Sequence, residues 1–218
     1  IRLLTPLDDA GKTWRVAKSD ASTSTSFKVL GTSPGTGYLI RVAAKNAVGS
    51  SDYARGSVKT LATIPGAPQN LKISKVSYRT LSLGWSLPIS NGGSLITNYK
   101  IEFSGNGGTS WSEIAHPVSA SRSFNVTGLT RGKEYQFRVS AINGSGVGAA
   151  SIAASATTLL ALSTEPRELT LSSVISSEAQ VSWTAPADDG GSPIIRYSIE
   201  ISPDGGTTWF RNGWTIGT

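Results

Sequence analysis

A unit of just under a hundred residues repeats along this chain of 218 residues. The stretch WSLPISNGGSLITNYKIEFSGNGGTSW at 85–111 aligns with WTAPADDGGSPIIRYSIEISPDGGTTW at 183–209, with matched positions 98 residues apart. A second alignment, at an offset of 97, places 27–51 on 124–148. An internal repeat of this length predicts a row of small, similar domains rather than one large domain.

Apolar and polar residues alternate within each unit. The pattern is seen in YKIEF at 99–103, in YSIEI at 197–201 and in YQFRVSAI at 135–142. A period of two is typical of strands with one face in a core and one in water. No segment has a convincing amphipathic helical pattern. Short strands in units of this size predict an all-β fold of two-sheet antiparallel sandwiches.

The unit resembles a fibronectin type III domain, a member of the immunoglobulin-like sandwiches. The resemblance covers nearly the whole chain and rests on these elements of the middle copy: Pro68-x-x-Leu71, Trp85, Pro88 with its glycine-rich loop, Tyr99, the corner Leu129-x-x-Gly132-x-x-Tyr135, and RVSAINGSGVG at 138–148. The first copy departs at Thr32, which stands where Leu129 stands, so a different packing of its corner is allowed. The resemblance implies a tandem array of such sandwiches.

The same resemblance implies a set of structural core residues. Tyr38 and Tyr135 are expected to be corner tyrosines, with the ring in the core and the hydroxyl bonded to nearby backbone. The other implied core positions are Trp85, Trp183, Tyr99, Tyr197 and Leu129.

The repeat divides the chain into three modules. Residues 1–64 are expected to form a partial module without its first two strands, 65–161 a complete module of seven strands, and 162–218 a partial module with its first four strands. The chain is therefore expected to be a piece of a longer one, and strand exchange between neighbouring chains is the alternative. The linkers at 60–68 and 157–166 are short and contain proline, which predicts an end-to-end arrangement with limited bending.

A glycine turn followed by tryptophan recurs as DDAGKTW, SGNGGTSW and SPDGGTTW. In the third copy, Ser-Pro-Asp-Gly predicts a type I turn with Gly205 at positive φ and a bulge, which leaves 203–205 as the hairpin loop. That register pairs Ile199 with Trp209 and places the indole on the core face. A two-residue loop would instead turn Trp209 toward solvent.

The same count applies to the middle hairpin, where it pairs Ile101 with Trp111. Exposed indoles would have a different meaning, because a flat aromatic ring can stack on a sugar. Trp14, Trp111 and Trp209 are therefore the candidate ligand-stacking residues if they prove exposed.

No motif indicates catalysis, a cofactor or a metal. The chain has no cysteine and one histidine, His116, which excludes the usual His/Cys metal sites. Asp188 and Asp189 suggest calcium, but Ser90 and Asn91 replace them in the matched segment, so turn chemistry is favoured. No phosphate loop or serine nucleophile motif occurs. The sequence therefore predicts a protein that is not an enzyme.

Charge and hydropathy restrict the partners. The net charge is +6, but the Lys and Arg residues are dispersed, which favours a solvated surface over a nucleic-acid groove. A weak attraction to acidic cell-wall polymers or membrane surfaces is physically allowed. The longest apolar runs are too short to span a bilayer, so no membrane insertion is expected.

The leading functional hypothesis is a non-catalytic spacer or scaffold in a large secreted or cell-surface protein, presenting or connecting other domains. Its expected partners are neighbouring modules of the same chain, with other protein chains or polysaccharide as further possibilities. The glycine-rich, cysteine-free style resembles bacterial members of the family. Adhesion or carbohydrate binding is the first alternative and a virion tail or filament component the second. Exposure of the aromatic residues discriminates between scaffold and sugar binding.

Overall fold

The structure, a computed structural model, describes residues 2–3, 15–16 and 23–216. These residues form sixteen strands and no helix, and therefore no helix long and apolar enough to cross a membrane. This confirms the prediction of an all-β fold.

The first module contributes one antiparallel sheet. Its strands are β1 (Arg2–Leu3), β2 (Arg15–Val16), β3 (Gly37–Val42) and β4 (Ala54–Lys59), in the order β2-β1-β3-β4. Tyr38 in β3 is buried, and its hydroxyl accepts a hydrogen bond from the Ser33 amide at 2.7 Å. The corner thus forms although Thr32 replaces the leucine of the middle copy.

The middle module is a two-sheet sandwich. One sheet has the order β5-β6-β9, from β5 (Gln69–Ser74), β6 (Leu81–Ser86) and β9 (Ser123–Val126). The other contains β7 (Ile96–Ser104), β8 (Ser112–Glu113), β10 (Glu134–Asn143), β11 (Gly146–Ala150) and β12 (Ala154–Thr157). Its order is β11-β10-β7-β8, and β12 continues β11 along the same edge of β10.

The last strand of the middle module is interrupted between β11 and β12 by a bulge. The Ser151 amide donates to the Val139 carbonyl at 2.8 Å, and the Ser151 hydroxyl accepts from the Val139 amide at 3.1 Å. The buried amide of Val139 thus bonds a side-chain hydroxyl in place of a backbone carbonyl, at the point where the bulge interrupts the backbone pairing of the strands.

The core of this module lies between its two sheets. Alternation in β6 buries Leu81, Leu83 and Trp85, which face residues of β7 and β10. Trp85 is 7% exposed and meets Tyr99 edge to face, with ring centroids 5.1 Å apart. The other buried residues of the cluster are Ile101, Val126, Leu129, Tyr135, Phe137, Val139 and Ala141. The Tyr135 hydroxyl accepts from the Thr130 amide at 3.0 Å, the same corner bond as at Tyr38.

The third module shows the same pairing with less burial. Its strands are β13 (Arg167–Ser172), β14 (Gln180–Thr184), β15 (Arg196–Ile201) and β16 (Phe210–Ile216), paired as β13-β14 and β15-β16. Trp183 and Tyr197 repeat the edge-to-face contact at 5.2 Å, but both are only half-buried. Within the described residues β14 and β15 each pair with one strand only, so the two rings lack the cover that Trp85 and Tyr99 have.

The predicted register of the tryptophan hairpins is wrong. Phe103 pairs with Ser112 and Ile201 with Phe210, so eight residues rather than three separate the closing pair. Ile199 lies opposite Gly213 and not Trp209. In the middle hairpin, Ile101 accepts a hydrogen bond from the amide of Ile114 and not from Trp111. Gly205 does have the predicted positive φ, at 71°.

Candidate functional site

The two junctions between modules are built from the same backbone contacts. In the first junction, the Thr63 amide donates to the Gly92 carbonyl at 2.8 Å, and the Gly66 amide to the Ser90 carbonyl at 2.9 Å. In the second junction, two bonds of 2.9 Å occur at positions 98 residues further along the chain. These run from Ala161 to Gly190 and from Thr164 to Asp188. We call these junctions the first and the second joint.

Each joint also holds a contact between two glycines of neighbouring modules. Gly35 of the first corner meets Gly93, and Gly132 of the second corner meets Gly191. A Cβ on Gly93 would lie 2.2 Å from the Pro34 carbonyl oxygen, and one on Gly132 would lie 2.7 Å from the Gly191 oxygen. The φ angles of Gly93 and Gly191 are 75° and 86°. Only glycine therefore allows the two backbones to come this close.

The sequence placed Gly132 in a corner motif and Gly93 and Gly191 in glycine-rich loops, and it did not predict the joint. A signal was present, because Gly35 and Gly132 match each other in the repeat, as do Gly93 and Gly191. A pattern within one repeat, however, does not say which loops of neighbouring repeats meet. The contact becomes visible only when the modules are placed end to end.

Asn143, a residue of the middle module, binds the linker of the first joint. Its side chain is 4% exposed. Nδ2 donates to the carbonyl oxygens of Thr63 and Asn91, both at 2.8 Å, and Oδ1 accepts from the Ser145 amide at 2.8 Å. One buried side chain thus bonds two backbone carbonyls, one in the linker and one in the glycine loop.

An Asn143→Asp variant is expected to lower the free energy of unfolding by about 1–3 kcal/mol, because a buried carboxylate would then face the carbonyls of Thr63 and Asn91. Thermal unfolding followed by circular dichroism measures the loss. The control is Asn46→Asp at the matched position of the first module. Asn46 is exposed, and its Oδ1 accepts from the amides of Val48 and Gly49 at 2.9 and 3.0 Å, bonds that aspartate retains. A loss at Asn46 as large as that at Asn143 would contradict the assigned role.

The second joint adds charges that the first one lacks. Asp188 Oδ2 lies 2.6 Å from Arg131 Nη1 and 3.0 Å from Arg79 Nη2, both of the middle module. Asp188 Oδ1 accepts from the Gly190 amide at 2.9 Å. The Gly190 amide and the two guanidiniums lower the pKa of Asp188, against a smaller opposing effect of desolvation. The carboxylate therefore stays charged and links the two modules.

Of the two adjacent acidic residues, Asp188 binds the arginines and Asp189 closes a turn. Asp189 Oδ1 accepts from the Gly191 amide at 2.8 Å, which is the turn chemistry that the sequence favoured. Within the described part of the chain, no group of three or more His, Cys, Asp or Glu side chains is placed to hold a metal ion. His116 precedes Pro117 on a loop and is half-buried against Phe124, with ring centroids 5.4 Å apart.

The two described tryptophan loops, 104–111 and 202–209, share one hydrogen-bond network. In the first, Ser104 Oγ accepts from the Gly108 amide at 2.9 Å, Asn106 Oδ1 from the Ser110 amide at 3.1 Å, and Trp111 Nε1 donates to the Gly108 carbonyl at 3.1 Å. Ser202, Asp204 and Trp209 make the matching bonds at 2.7, 2.8 and 3.1 Å. Side chains close this wide loop, which explains why turn rules gave the wrong register.

The indoles differ in exposure. Trp111 is half-buried because the Arg138 guanidinium lies over its ring, 4.3 Å from the centroid. Arg138 is held in turn by Glu102 at 2.8 Å, and the pKa of Glu102 is lowered chiefly by that bond. Trp209 is 61% exposed, and Trp14 lies outside the described residues. The two described indoles therefore do not form a matched pair of open platforms.

Acid is expected to loosen the 202–209 loop and leave the 104–111 loop intact. Bonds from the Thr208 hydroxyl, the Thr208 amide and the Ser202 hydroxyl lower the pKa of Asp204 to about 2. A depressed carboxyl pKa stabilises the fold above the unfolded-state value of 3.8, and this contribution is lost as pH falls through 2. Asn106 does not titrate. The NMR signal of the Trp209 indole N–H reports on the 202–209 loop, and Asp204→Asn is expected to abolish its acid response. A response that persists in this variant would contradict the assignment.

Comparison with known proteins agrees with this architecture. The fibronectin type III domain model matches residues 66–157 and 164–216. Titin of Drosophila melanogaster is 28% identical over 88% of this chain, which spans 1% of that relative. Human myomesin-2 is 29% identical over 84% of the chain, which spans 13% of it. The crystal structure of domains d3-d4 of the rat CD45 extracellular region shares the fold, with a TM-score of 0.54 and 21% identity over 66% of this chain and 75% of that one. This chain belongs to the fibronectin type III domain family.

Proposed function

We propose that this chain is a non-catalytic spacer whose modules are held end to end in a fixed geometry, so that it presents or connects other domains of a large extracellular or cell-surface protein. The observation that carries the proposal is the recurrence of one joint at both junctions. The comparisons support the tandem-module part, because the fibronectin type III domain model matches two successive segments of the chain, and titin and myomesin-2 align with most of it. The location rests on the sequence alone and stays a prediction.

The joints restrict bending because the linkers are bonded along their length. The Gly35 amide donates to Leu61 at 3.0 Å, while the Thr63 and Gly66 amides donate to the next module. The linker is thus tied to the module before it and to the module after it within six residues. A flexible linker has no such bonds and behaves as a random coil. Fixed linkers of this kind set the distance between the domains at the two ends of an array.

The absence of cysteine from the chain allows the proposal to be tested by spin labelling. Cysteines at the exposed positions Ser57, Ser155 and Ser177 report on the three modules. The label pair 57/155 spans the first joint, and 155/177 spans the second. The expected result is one narrow distance distribution for each pair. Replacing 61–66 by a glycine-serine linker of equal length is the control. A native distribution as broad as that of the control would overturn the proposal.

Carbohydrate binding is a second candidate, favoured by one observation, the exposure of Trp209. An exposed indole is suited to stack on a sugar ring, whereas Trp111 has one face covered by Arg138. A glycan array probed with the chain and with its Trp209→Ala variant tests this function. Binding that is lost in the variant would support it, and the absence of binding to any glycan would exclude it for the sugars tested.

A further inference from the structure

The two joints share their backbone contacts and differ in the side chains beside them. Pro34 precedes the corner glycine of the first joint, and Arg131 precedes that of the second. On the opposite side, Ser90 stands two positions before the Gly-Gly pair of the first joint, and Asp188 stands there in the second. The first joint thus brings together two uncharged side chains, whereas the second brings together a cationic and an anionic one.

The charged pairing is made at close range and is partly shielded from water. The Arg131 side chain is 23% exposed, its Nη1 lies 2.6 Å from Asp188, and its guanidinium is 6.0 Å from the centroid of the Tyr78 ring. The Arg131 Nε is buried without a hydrogen-bond partner. Removal of Asp188 would therefore leave a half-desolvated cation with no counter-charge, which is costly.

The net charge of the three segments of the chain follows the same division. Residues 1–64 contain nine Lys and Arg against four Asp and Glu, and residues 65–161 contain eight against three. Residues 162–218 reverse this balance, with three against seven. The first joint thus connects two cationic modules, where a charged contact gains nothing from its surroundings. The second connects modules of opposite charge, whose attraction adds to the local ion pairs.

We propose that the C-terminal corner of the middle module, formed by Tyr78, Arg79, Arg131 and Gly132, is a selective docking surface for a following module whose loop reads Asp-x-Gly-Gly. A loop of the Ser-x-Gly-Gly kind, as in the first joint, fits the backbone and leaves both arginines without a counter-charge. Selection of this kind arises from the cost of the mismatched pair as much as from the gain of the matched one. The side chains at the joints thereby determine how firmly each module is held against the one before it. The inference rests on the proposed function, because it assumes that the joints are formed in solution.

Salt dependence follows from the same contacts. Ion pairs at a partly exposed joint weaken as ionic strength rises, whereas backbone bonds between neutral groups do not. The second joint is therefore expected to loosen between about 0.05 M and about 0.5 M salt, while the first joint stays unchanged.

The test uses the label pairs 57/155 and 155/177 in the whole chain. Asp188→Ser gives the second joint the serine of the first. It is expected to raise the population of bent conformers at that joint roughly two- to fivefold and to reduce its salt dependence. Ser90→Asp is the matched control at the first joint, where Pro34 supplies no cation. Asp188→Arg alone loses both the ion pairs and the bond from the Gly190 amide. Adding Arg79→Glu and Arg131→Glu restores opposite charges only, and is expected to narrow the distribution relative to Asp188→Arg alone.

Two outcomes would overturn the inference and leave the spacer intact. One is a second joint that stays narrow in Asp188→Ser, and the other is an equal response of both joints to salt. Broad distributions at both joints in the native chain would contradict the spacer itself and this inference with it.

Discussion

A Trp85→Ala variant is expected to lose about 3–5 kcal/mol of the free energy of unfolding of the middle module. Trp85 is 7% exposed, packs edge to face on Tyr99 and belongs to a cluster that includes both sheets. Truncation removes the indole and leaves a cavity that the sandwich fills only in part. Since native domains are stable by about 5–15 kcal/mol, the loss is a large part of the total.

Urea unfolding followed by circular dichroism measures this loss as a fall in midpoint at unchanged slope. The chain contains its own control, because Trp183 makes the same contact with Tyr197 at 5.2 Å and is only half-buried. Trp183→Ala is expected to cost clearly less. Equal losses at the two positions would mean that the ring contact, and not burial, determines the contribution of these tryptophans.

The fold of the middle module was predictable because its signals are local and periodic. Alternating apolar residues in β6, β7 and β10 determine which face of each strand is buried, and the observed core follows those positions. The corner tyrosines follow from the same pattern together with the family resemblance. The repeat offset carried these assignments from one module to the next. The repeat did not predict the degree of burial. Trp183 has the same position in its module as Trp85, but it is only half-buried.

The register of the hairpins and the contacts of the joints could not be predicted from the alternating pattern, for two different reasons. In the hairpins, the hydroxyls of Ser104 and Ser202 and the side chains of Asn106 and Asp204 compete with the backbone ladder, and turn rules do not count such bonds. In the joints, the decisive contacts join glycines about sixty residues apart in different modules. Periodicity within a module contains no information about that pairing.

In the glycine loop of the first joint, a single added methyl group is expected to disturb the geometry between two modules. Gly92 has a φ of +70°, and a Cβ there would lie 2.1 Å from the Thr63 oxygen and 2.7 Å from the Ile64 oxygen. Both obstacles are backbone atoms, so no rotation of a side chain relieves the clash. The linker must move, and the bond from the Thr63 amide to the Gly92 carbonyl is lost with it.

Gly92→Ala is therefore expected to broaden the distance distribution of the 57/155 label pair and to lower the unfolding free energy by more than backbone strain alone. Gly107→Ala isolates the strain, because Gly107 has the same φ of +70° and no atom within 4 Å of the added Cβ. Positive φ costs an alanine about 1–2 kcal/mol at either position. Any excess at Gly92 then measures the close approach of linker and loop. If the two variants lost the same stability and the 57/155 distribution stayed narrow in both, the linker would be free to move away from Gly92, and the joint would not fix the angle between the modules.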